Sequence, residues 1–374
     1  MKYIEKLLKG AEVKWVPLGE VCAIKTGKGV TKNDANSNGI YPIISGGKTP
    51  MDYIDIYNRQ ANTVTVSRVG ANAGFVSYIK EKFYLNDKCF SVIPKSSNSI
   101  VSRFLYYALK SQELKISALQ SEGGVPTINT TKLGNVTIPI PPFHVQEEIV
   151  RILDKFTTLE TELETELDCR KRQYEYYRNH LLSLDGINSI ESFDEVEWVP
   201  LGEVTTYKQP TKYLVKSTNY NNSFTTPVLT AGKTFVLGYT NEEDGIYKAS
   251  ASPVIIFDDF TTANKWVDFD FKAKSSAMKM IISKDESKVL LKYIYHWLNT
   301  LPSELVEGDH KRQWISNFCK KSFPIPPLAE QQRIVSILDK FEALTTSISE
   351  GLPKEIELRR KQYEYYRNQL LSFA

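Results

Sequence analysis

Two kinds of pattern alternate along the chain. Short runs of β-branched and aromatic residues, bounded by Gly, Pro, Asn and Ser, are typical of strands. They occur within residues 15–140 and again within residues 198–325, for example at 63–66, 90–93, 254–257 and 280–282. Each region also contains one short amphipathic stretch that predicts a helix, at residues 102–110 and 290–299. The pattern therefore predicts two globules of mixed α and β structure.

After each globule, the apolar residues recur every three or four positions. The first series lies between residues 149 and 181, and the second between 334 and 370. This spacing is typical of long helices that present a narrow apolar seam. We expect the two helices to pack antiparallel on each other as a spacer; the alternative is that each packs elsewhere on the protein. At about 1.5 Å per residue, the segment from Val145 to Ser183 would span on the order of 60 Å.

The second of these helices differs from the first in two ways. It is four residues longer between matching landmarks, since Phe156 and Tyr174 are 18 positions apart whereas Phe341 and Tyr363 are 22 apart. Four residues make about one turn, so the seam can stay in phase despite the insertion. The sequence Gly351-Leu-Pro353 also lies in this helix, and a proline there is expected to kink or break it.

The chain contains one large internal repeat. Trp15-Val-Pro-Leu-Gly-Glu-Val21 recurs without change at residues 198–204, and Pro139-Ile-Pro-Pro142 recurs at 324–327. Gln173-Tyr-Glu-Tyr-Tyr-Arg-Asn179 recurs at 362–368. A repeat of about 185 residues is a tandem duplication of a large unit rather than a solenoid of short ones. Two copies of one unit imply that the same kind of function is performed twice.

The N-terminal residues repeat the end of both long helices. Tyr3-Ile-Glu-Lys-Leu-Leu8 has the same Tyr-x-x-x-Leu-Leu spacing as Tyr177 to Leu182 and Tyr366 to Leu371. Each copy of the Trp-Val-Pro-Leu-Gly-Glu-Val motif is thus preceded by this element. We therefore expect the N-terminus to lie beside the C-terminal helix and to close a pseudo-two-fold ring.

Composition excludes several classes of protein. With 41% hydrophobic and 24% charged residues, the 374-residue chain has an ordinary globular composition rather than that of a disordered protein. No apolar run approaches the roughly 20 residues of a membrane span, and the first ten residues do not resemble a signal peptide. The cysteines form no CxxC pair, so we expect reduced thiols and a cytoplasmic protein. They are Cys22, Cys89, Cys169 and Cys319.

The net charge of +3 is unevenly distributed. Residues 1–140 hold 18 Lys and Arg against 10 Asp and Glu, and residues 198–322 hold 16 against 13. Residues 141–184 hold 6 against 9, and the last 52 residues hold 7 against 7. The excess positive charge therefore lies on both globules and not on the helices, which favours contact between the globules and a phosphate backbone.

Several motifs resemble those of enzymes, but none has the full set of residues that the chemistry requires. Gly47-Lys48-Thr49 and its repeat at 232–234 lack the earlier glycine of a phosphate-binding loop, because Pro42 and Pro227 stand at that position. The four histidines, at 144, 180, 296 and 310, have no partner at metal-ligand spacing, so packed or surface roles are expected. Two alternatives remain: a metal-dependent nucleic-acid enzyme that uses Asp258, Asp259 and Glu286, and a protein scaffold that does not read DNA.

Loops rich in Gly, Lys, Arg, Asn and Ser occur at matching places in both globules, for example 45–49 and 67–72 in the first and 231–234 and 308–313 in the second. Arg, Lys, Asn and Gln can pair with base edges, and Gly lets a backbone approach phosphate. The loops differ between the copies although the Trp motif is identical. The two globules therefore share a scaffold but have different loop surfaces for contact with bases.

Taken together, the repeated Trp-Val-Pro-Leu-Gly-Glu-Val, Pro-Ile-Pro-Pro, Ile-Leu-Asp-Lys-Phe and Gln-Tyr-Glu-Tyr-Tyr-Arg-Asn motifs resemble those of Type I restriction-modification specificity subunits over essentially the whole chain. The resemblance implies an α+β fold with two similar mixed α/β target-recognition domains, separated by two long antiparallel helices in a pseudo-two-fold tandem duplication. It implies a non-catalytic subunit whose domains each read half of an asymmetric bipartite site in double-stranded DNA. Two modification (methyltransferase) subunits and restriction (translocase and endonuclease) subunits are the implied partners. S-adenosylmethionine, ATP and Mg are expected on those partners, with no cofactor and no metal on this chain.

On this interpretation the chain has five segments. The first target-recognition domain covers residues 1–144 and the second 198–328. The long helices cover 145–184 and 329–374, and a linker covers 185–197. From loop position and chemistry, we expect eight residues to contact DNA: Lys48, Arg68, Asn72, Lys233, His310, Lys311, Arg312 and Gln313.

Overall fold

The computed structural model describes residues 3–31, 34–121, 124–183, 186, 196–232, 234–302, 312–347 and 350–373. The chain folds as two compact units. The first comprises Met1–Glu164 and Glu355–Ala374, and the second comprises Thr165–Lys354. Each unit thus joins one predicted globule to parts of both predicted long helices.

The first unit begins with a short helix and then follows the predicted strand-rich order. Its strands are β1 Lys14–Pro17, β2 Cys22–Thr26, β3 Tyr41–Ile44, β4 Tyr53–Ile54, β5 Thr63–Ser67, β6 Val76–Ile79, β7 Tyr84–Leu85, β8 Cys89–Pro94 and β9 Thr137–Ile140. Its helices are α1 Tyr3–Leu8, α2 Leu18–Val21, α3 Ser102–Lys110, α4 Glu113–Ser117 and α5 Thr130–Gly134, followed by the long α6 Phe143–Leu181 that continues into the second unit. The strands predicted at 63–66 and 90–93 and the helix predicted at 102–110 are confirmed.

Three sheets organise this unit. A four-stranded antiparallel sheet has the order β2-β8-β5-β6, a three-stranded sheet has the order β4-β3-β7, and β1 pairs with β9. Alternation along β5 separates two faces, as expected for a strand with a period of two. Val64 and Val66 face a core that includes Leu105 and Leu109 of α3. Thr63, Thr65 and Ser67 alternate with these valines and so belong to the opposite face.

The second unit repeats the same series of strands. Its strands are β10 Glu197–Pro200, β11 Thr205–Lys208, β12 Thr226–Leu229, β13 Val236–Thr240, β14 Val254–Asp258, β15 Asn264–Val267, β16 Lys272–Ala273, β17 Met278–Ser283 and β18 Ser322–Ile325. Its helices are α7 Leu201–Val204, α8 Leu291–Leu298, α9 Gln313–Ser316 and α10 Leu328–Thr346. The helix α11 Gly351–Leu371 follows α10, and most of it belongs to the first unit. The sheet orders β11-β17-β14-β15, β13-β12-β16 and β10-β18 match those of the first unit strand for strand. The duplication predicted from the sequence is therefore a duplication of topology.

A buried glutamine joins each globule to its long helix in the same way. Gln146 accepts a hydrogen bond from the Val101 amide at 3.0 Å and donates to the carbonyls of Ser99 and Pro141 at 2.9 Å. Gln331, in the second copy, makes the equivalent bonds at the same distances to Leu290, Lys288 and Pro326. Both side chains are fully buried. Because a buried amide must be paired, these bonds fix the start of each helix against its globule.

The long helices pack antiparallel in the first unit. Ile149 and Leu153, early in α6, share a buried cluster with Leu370 at the end of α11. Further along α6, the ring of Phe156 stacks on Tyr366 with centroids 5.2 Å apart. Glu160 and Glu164 then bind Arg360, so the partner residue number falls as the α6 number rises.

The second unit contains the equivalent antiparallel pair. The rings of Tyr174 and Tyr177 in α6 lie 6.4 and 5.5 Å from Phe341 of α10. Leu182 joins a buried cluster with Ile334 and Leu338. The predicted antiparallel packing is thus found in both units, and the same Phe of the Ile-Leu-Asp-Lys-Phe motif lies at the centre of each contact.

The second long helix is interrupted, as its proline predicted. α10 ends at Thr346 and α11 begins at Gly351, whose φ of +76° lies in the left-handed region. Pro353 occupies the first turn of α11, where its missing amide hydrogen bond has no cost. The structure therefore has two helices here rather than one helix with a stutter. Ile348, which belongs to the predicted apolar series, lies outside the described residues.

The N-terminal helix lies where the Tyr-x-x-x-Leu-Leu spacing predicted. Ile4 is 2% exposed and packs in the cluster of Leu370 and Phe373. In the described part of the chain, no helix is both long and apolar enough to cross a membrane.

Candidate nucleic-acid interface

Four loops of the first unit meet at one edge of its sheets. We define residues 45–49, 68–72, 86–88 and 124–127 as the first loop cluster. The Asn72 side-chain Nδ2 donates to the Gly46 carbonyl at 3.4 Å, and the Gly70 backbone amide donates to the Pro126 carbonyl at 2.9 Å. A Cβ on Gly46 would lie 2.5 Å from the Val69 carbonyl oxygen, so this close approach of two loops requires glycine.

Arg68 is held at the centre of the first loop cluster. It follows β5, and its amide donates to the Lys88 carbonyl at 2.9 Å. Its guanidinium donates to the Asp87 carbonyl at 3.3 Å and lies 5.8 Å from the centroid of the Phe90 ring. These contacts use only part of its five donors and leave the side chain half-exposed. Arg68 can therefore present the remaining donors to a base edge or a phosphate.

The structure brings Lys48 and Asn72 to the same edge as Arg68. Lys48 is exposed, and its Nζ lies 5.9 Å from the centroid of the Phe75 ring. The three residues predicted to contact DNA in the first globule therefore belong to one loop cluster, although they are up to 24 positions apart in the sequence.

Two further lysines belong to this surface and were missed as individual candidates. Lys88 is exposed, and its carbonyl binds Arg68. Lys28 is exposed, and its backbone amide donates to the Leu85 carbonyl at 3.0 Å. The nearby Val30 carbonyl accepts a hydrogen bond from the Asn86 side-chain Nδ2 at 3.1 Å. Lys28 belongs to another Gly- and Lys-rich segment of the first globule, residues 27–32. Lys88 carries no sequence signal, because only the pairing of β5 with β8 places it beside Arg68.

In the second unit, the structure places Arg312 and Gln313 beside the loop after β14. The Gln313 amide donates to the Asp259 carbonyl at 2.9 Å, and the Trp314 amide donates to the Asp259 carboxylate at 2.9 Å. Arg312 itself is exposed. The first unit has the equivalent backbone bond, from the Ile128 amide to the Arg68 carbonyl at 2.9 Å. Asp259 thus stands where Arg68 stands in the first copy.

The first copy has the cationic Arg68 at this position and the second copy has the anionic Asp259, so the charge is reversed. The Asp259 carboxylate is 2% exposed and lies 3.6 Å from Lys279 Nζ, which is also 2% exposed and stands in place of Phe90. Lys279 also lies 4.5 Å from the centroid of the Tyr207 ring. The first copy therefore offers a cation to a ligand, whereas the second uses a buried ion pair to hold Arg312 and Gln313.

The remaining predicted contacts, Lys233, His310 and Lys311, lie outside the described residues. The loop around position 233 is bounded by described neighbours: the Thr230 amide donates to the Phe235 carbonyl at 2.9 Å, and the Thr230 hydroxyl donates to the Thr234 carbonyl at 2.7 Å.

The carboxylates of the alternative nuclease hypothesis have local structural roles. Asp258 accepts from the amides of Phe260 and Thr261 at 2.9 and 3.2 Å and so closes the turn after β14. Glu286 accepts from the Leu291 amide at 3.1 Å, at the start of α8. With Asp259 paired to Lys279, each of the three carboxylates has a protein partner and a local structural role.

One histidine lies among acidic groups. His296 is fully buried, its Nε2 lies 2.7 Å from the Asp339 carboxylate, and Glu342 is close by. Lys292 Nζ lies 3.0 Å from Glu342 and 3.6 Å from Asp339. In the first unit, Arg103, Tyr107 and Asp154 make the corresponding contacts between α3 and α6. Because a cationic side chain already balances the carboxylates in both copies, this cluster attaches globule to helix, as the packed role predicted for the histidines requires.

A comparison with protein families matches both copies of the repeat. The family model described as the type I restriction modification DNA specificity domain matches residues 11–168 and 194–358. The chain belongs to this family.

Two relatives support the assignment, one over the whole chain and one over about half of it. A type I restriction enzyme specificity subunit of Haemophilus influenzae is 34% identical over 393 aligned positions, which cover 100% of this chain and 98% of the relative. The EcoR124I/EcoR124II specificity subunit of Escherichia coli is 65% identical over 197 residues. That match covers 51% of this chain and 46% of the relative, so the alignment spans about half the length of the E. coli protein.

Solved structures agree with the fold of two specificity domains. The S subunit of a type I restriction-modification system from M. genitalium superposes with a TM-score of 0.72 and 18% identity, and the superposition covers 100% of both chains. A chain from a type I R-M system studied for complex assembly and conformational transition gives a TM-score of 0.51 at 16% identity, covering 96% of this chain. The predicted architecture of two similar α+β domains and long helices is confirmed.

Proposed function

We propose that this chain is the DNA-reading subunit of a type I restriction-modification complex, in which each unit reads one half of an asymmetric bipartite site. The observation that carries the proposal is the contrast between scaffold and loops. The two units share topology, register and the buried glutamine bonds, but at the equivalent loop position one has Arg68 and the other has Asp259. Duplicated scaffolds with unlike reading edges favour two unlike half-sites.

The reading chemistry follows from the side chains at each edge. Arg68, Asn72 and Lys48 in the first unit, and Arg312 and Gln313 in the second, are suited to donate to base edges in the major groove and to phosphates. The antiparallel helices would fix the number of unread base pairs between the halves. Over its 39 residues, α6 spans roughly 58 Å.

The repeated exposed residues support a second task, the docking of two identical partners. Trp15 and Trp198 are 47% and 40% exposed although both belong to the motif repeated without change. Tyr176 and Tyr365, at equivalent helix positions, are 63% and 61% exposed. Large aromatic side chains left exposed in both copies are typical of protein interfaces. We infer that each copy docks one modification subunit, with S-adenosylmethionine on those subunits and with ATP and Mg on restriction subunits, so that this chain contributes no catalytic residue.

The test is to map methylated adenines across a genome with and without this chain. A single bipartite motif whose methylation requires the chain is the expected result. Methylation that is independent of the chain would reject the proposal. Metal-dependent cleavage by the isolated chain, lost in Asp258→Ala, would revive the nuclease alternative, and sequence-blind DNA binding by the assembled complex would favour the scaffold alternative.

A further inference from the structure

A cavity of about 210 Å³ lies beside the first loop cluster, between the four-stranded and three-stranded sheets of the first unit. One wall is formed by Ile44, Ser45 and the 47–50 segment. The facing wall is formed by side chains on one face of the four-stranded sheet, Thr65, Ser67, Ser77 and Cys89. The cavity thus has a floor of small polar groups and an apolar side.

The hydroxyl groups in this cavity lack protein partners. Ser67 is 2% exposed and Ser45 is 9% exposed, and within the described part of the chain neither hydroxyl forms a hydrogen bond, nor does that of Ser77. Hydroxyl groups that line a cavity and have no protein partner can still donate to and accept from a bound molecule. A cavity with three open hydroxyls therefore suits a polar occupant rather than an apolar one.

The second unit shows that the fold does not require a polar cavity here. The strand registers place Ile256 at the position of Thr65, Met278 at that of Cys89 and Met280 at that of Ser91. These side chains are buried in an apolar cluster with Leu229, which stands at the position of Ile44. The same registers place Asp258 at the position of Ser67 and Lys265 at that of Ser77. The second copy thus fills this layer with apolar side chains at the positions of Thr65 and Cys89, so a polar Thr65 beside the cavity is specific to the first copy.

The position and size of the cavity indicate its occupant. Its volume is below the roughly 300–1,000 Å³ of pockets that bury a drug-sized molecule, so it suits a single flat ring system. Phe75 lies in its wall and offers an aromatic surface, with Lys48 Nζ 5.9 Å from the ring centroid. Ser67 directly precedes Arg68, so the wall is continuous with the proposed DNA-contacting surface. Ring stacking, hydroxyl donors and acceptors, and a cation are the groups that recognise a base and its phosphate.

We propose that this cavity binds a nucleobase, with the phosphate attached to that base held by Lys48. The base comes either from bound DNA, as an unpaired nucleotide of the first half-site, or from a free nucleotide. The inference deepens the proposed function and, for the DNA source, rests on it. It gives the first recognition domain a binding site that the second domain has filled with Ile256 and Met278.

Two titrations with the full chain distinguish the sources. In the first, the chain assembled with its modification partners is bound to duplexes that carry 2-aminopurine at each position of the first half-site in turn. A DNA source predicts a several-fold rise in fluorescence at one position, because this analogue brightens when it leaves the base stack. In the second, the chain is titrated calorimetrically with dAMP, dGMP, dCMP and TMP; a free-nucleotide source predicts saturable binding of at least one of them.

The second unit supplies the matched variants. Thr65→Ile copies Ile256 and fills the cavity, so it should abolish the fluorescence rise or weaken nucleotide binding at least about tenfold. Thr63→Val copies Val254 on the same strand and face but outside the cavity wall, and it should change neither signal. If the Thr65→Ile variant does not fold, the Cys89→Met variant is used instead, because Met278 stands at this position in the second unit.

Each outcome decides the proposal. A response in the wild type that Thr65→Ile removes supports it, and the responding probe identifies the source. A response that survives Thr65→Ile, or no response to either probe, overturns it. If the assembled complex shows no sequence-specific DNA binding, the proposed function fails, and the nucleotide titration alone then decides the cavity.

Discussion

Arg312 and Arg68 present guanidinium groups from the two proposed reading edges, and each can be tested alone. Arg312→Ala should weaken DNA binding and relax discrimination in one half-site by about 1–3 kcal/mol if the guanidinium reads a base. Arg68→Ala is the matched variant and should relax the other half-site. Binding to a panel of single-base substitutions, at fixed salt, measures both. Equal weakening across all sequences would instead identify a phosphate contact.

For Asp259 the prediction concerns the free energy of unfolding, because its side chain is buried. Asp259→Ala leaves Lys279 without its partner at a site where both side chains are 2% exposed. Removal of one member of a buried ion pair typically costs about 3–5 kcal/mol. Asp168→Ala is the control, since its pair with Arg172 is exposed and is expected to contribute less than about 1 kcal/mol. Urea denaturation gives both free energies of unfolding; similar values for the two variants would contradict the assignment.

The candidate sites were only partly predictable at this scale. Arg68 and Asn72 could be chosen because they follow a predicted strand in a Gly- and Asn-containing loop. Lys88 could not, because its place beside Arg68 depends on the pairing of β5 with β8 rather than on its neighbours in sequence. Asp259 was assigned to a rival catalytic hypothesis, since a sequence does not show that Lys279 is buried against it.

Among the elements, the interruption of the second long helix gives a stability prediction. Gly351 has a φ of +76°, and a Cβ there would lie 2.5 Å from the Ala343 carbonyl oxygen. Gly351→Ala should therefore destabilise the protein by about 1–2 kcal/mol or more, because an L-residue is strained in this conformation. Gly232→Ala is the control, since its Cβ would meet only the Thr230 hydroxyl at 3.8 Å. Equal midpoints of thermal unfolding for the two variants would count against the strained turn.

The length of α6 gives a second prediction at this scale. Deletion of residues 165–168 removes about one turn, or roughly 6 Å, and keeps the apolar seam close to its phase. If the helices set the distance between half-sites, the preferred gap should shorten by about two base pairs at about 3.4 Å each. Methylation mapping measures the gap, and reinsertion of four alanines should restore it. An unchanged gap would reject the role of the helices as a spacer.

Elements with a clear period were the most predictable parts of the fold. The helix Ser102–Lys110 and the strands around residues 63–66 and 254–257 follow directly from their apolar patterns. The pattern did not give the way the second helix absorbs its four extra residues. A stutter and a break have the same length, and the local conformation of Gly351 decides between them.

At the scale of the whole molecule, the two units share one topology but differ in the side chains between their sheets and in their loops. Their sheets and glutamine contacts agree, while the layer between sheets is polar around Thr65 in one and apolar around Ile256 in the other. The two copies thus differ at the loop edges and in the layer beside Thr65, as well as in the interruption of the second long helix.

This separation of scaffold from reading edge predicts the result of a domain exchange. Replacement of residues 198–325 by a second copy of residues 15–140 joins the same strands to the same helix starts, because β1–β9 and β10–β18 form equivalent pairs. The hybrid is expected to methylate a site whose two halves are both the original first half-site. The pseudo-two-fold duplication expected from the sequence predicts that those halves are read as an inverted repeat. Methylation mapping checks this directly, with the unmodified chain as control; a folded hybrid that kept the original second half-site would show that residues 198–325 do not determine it.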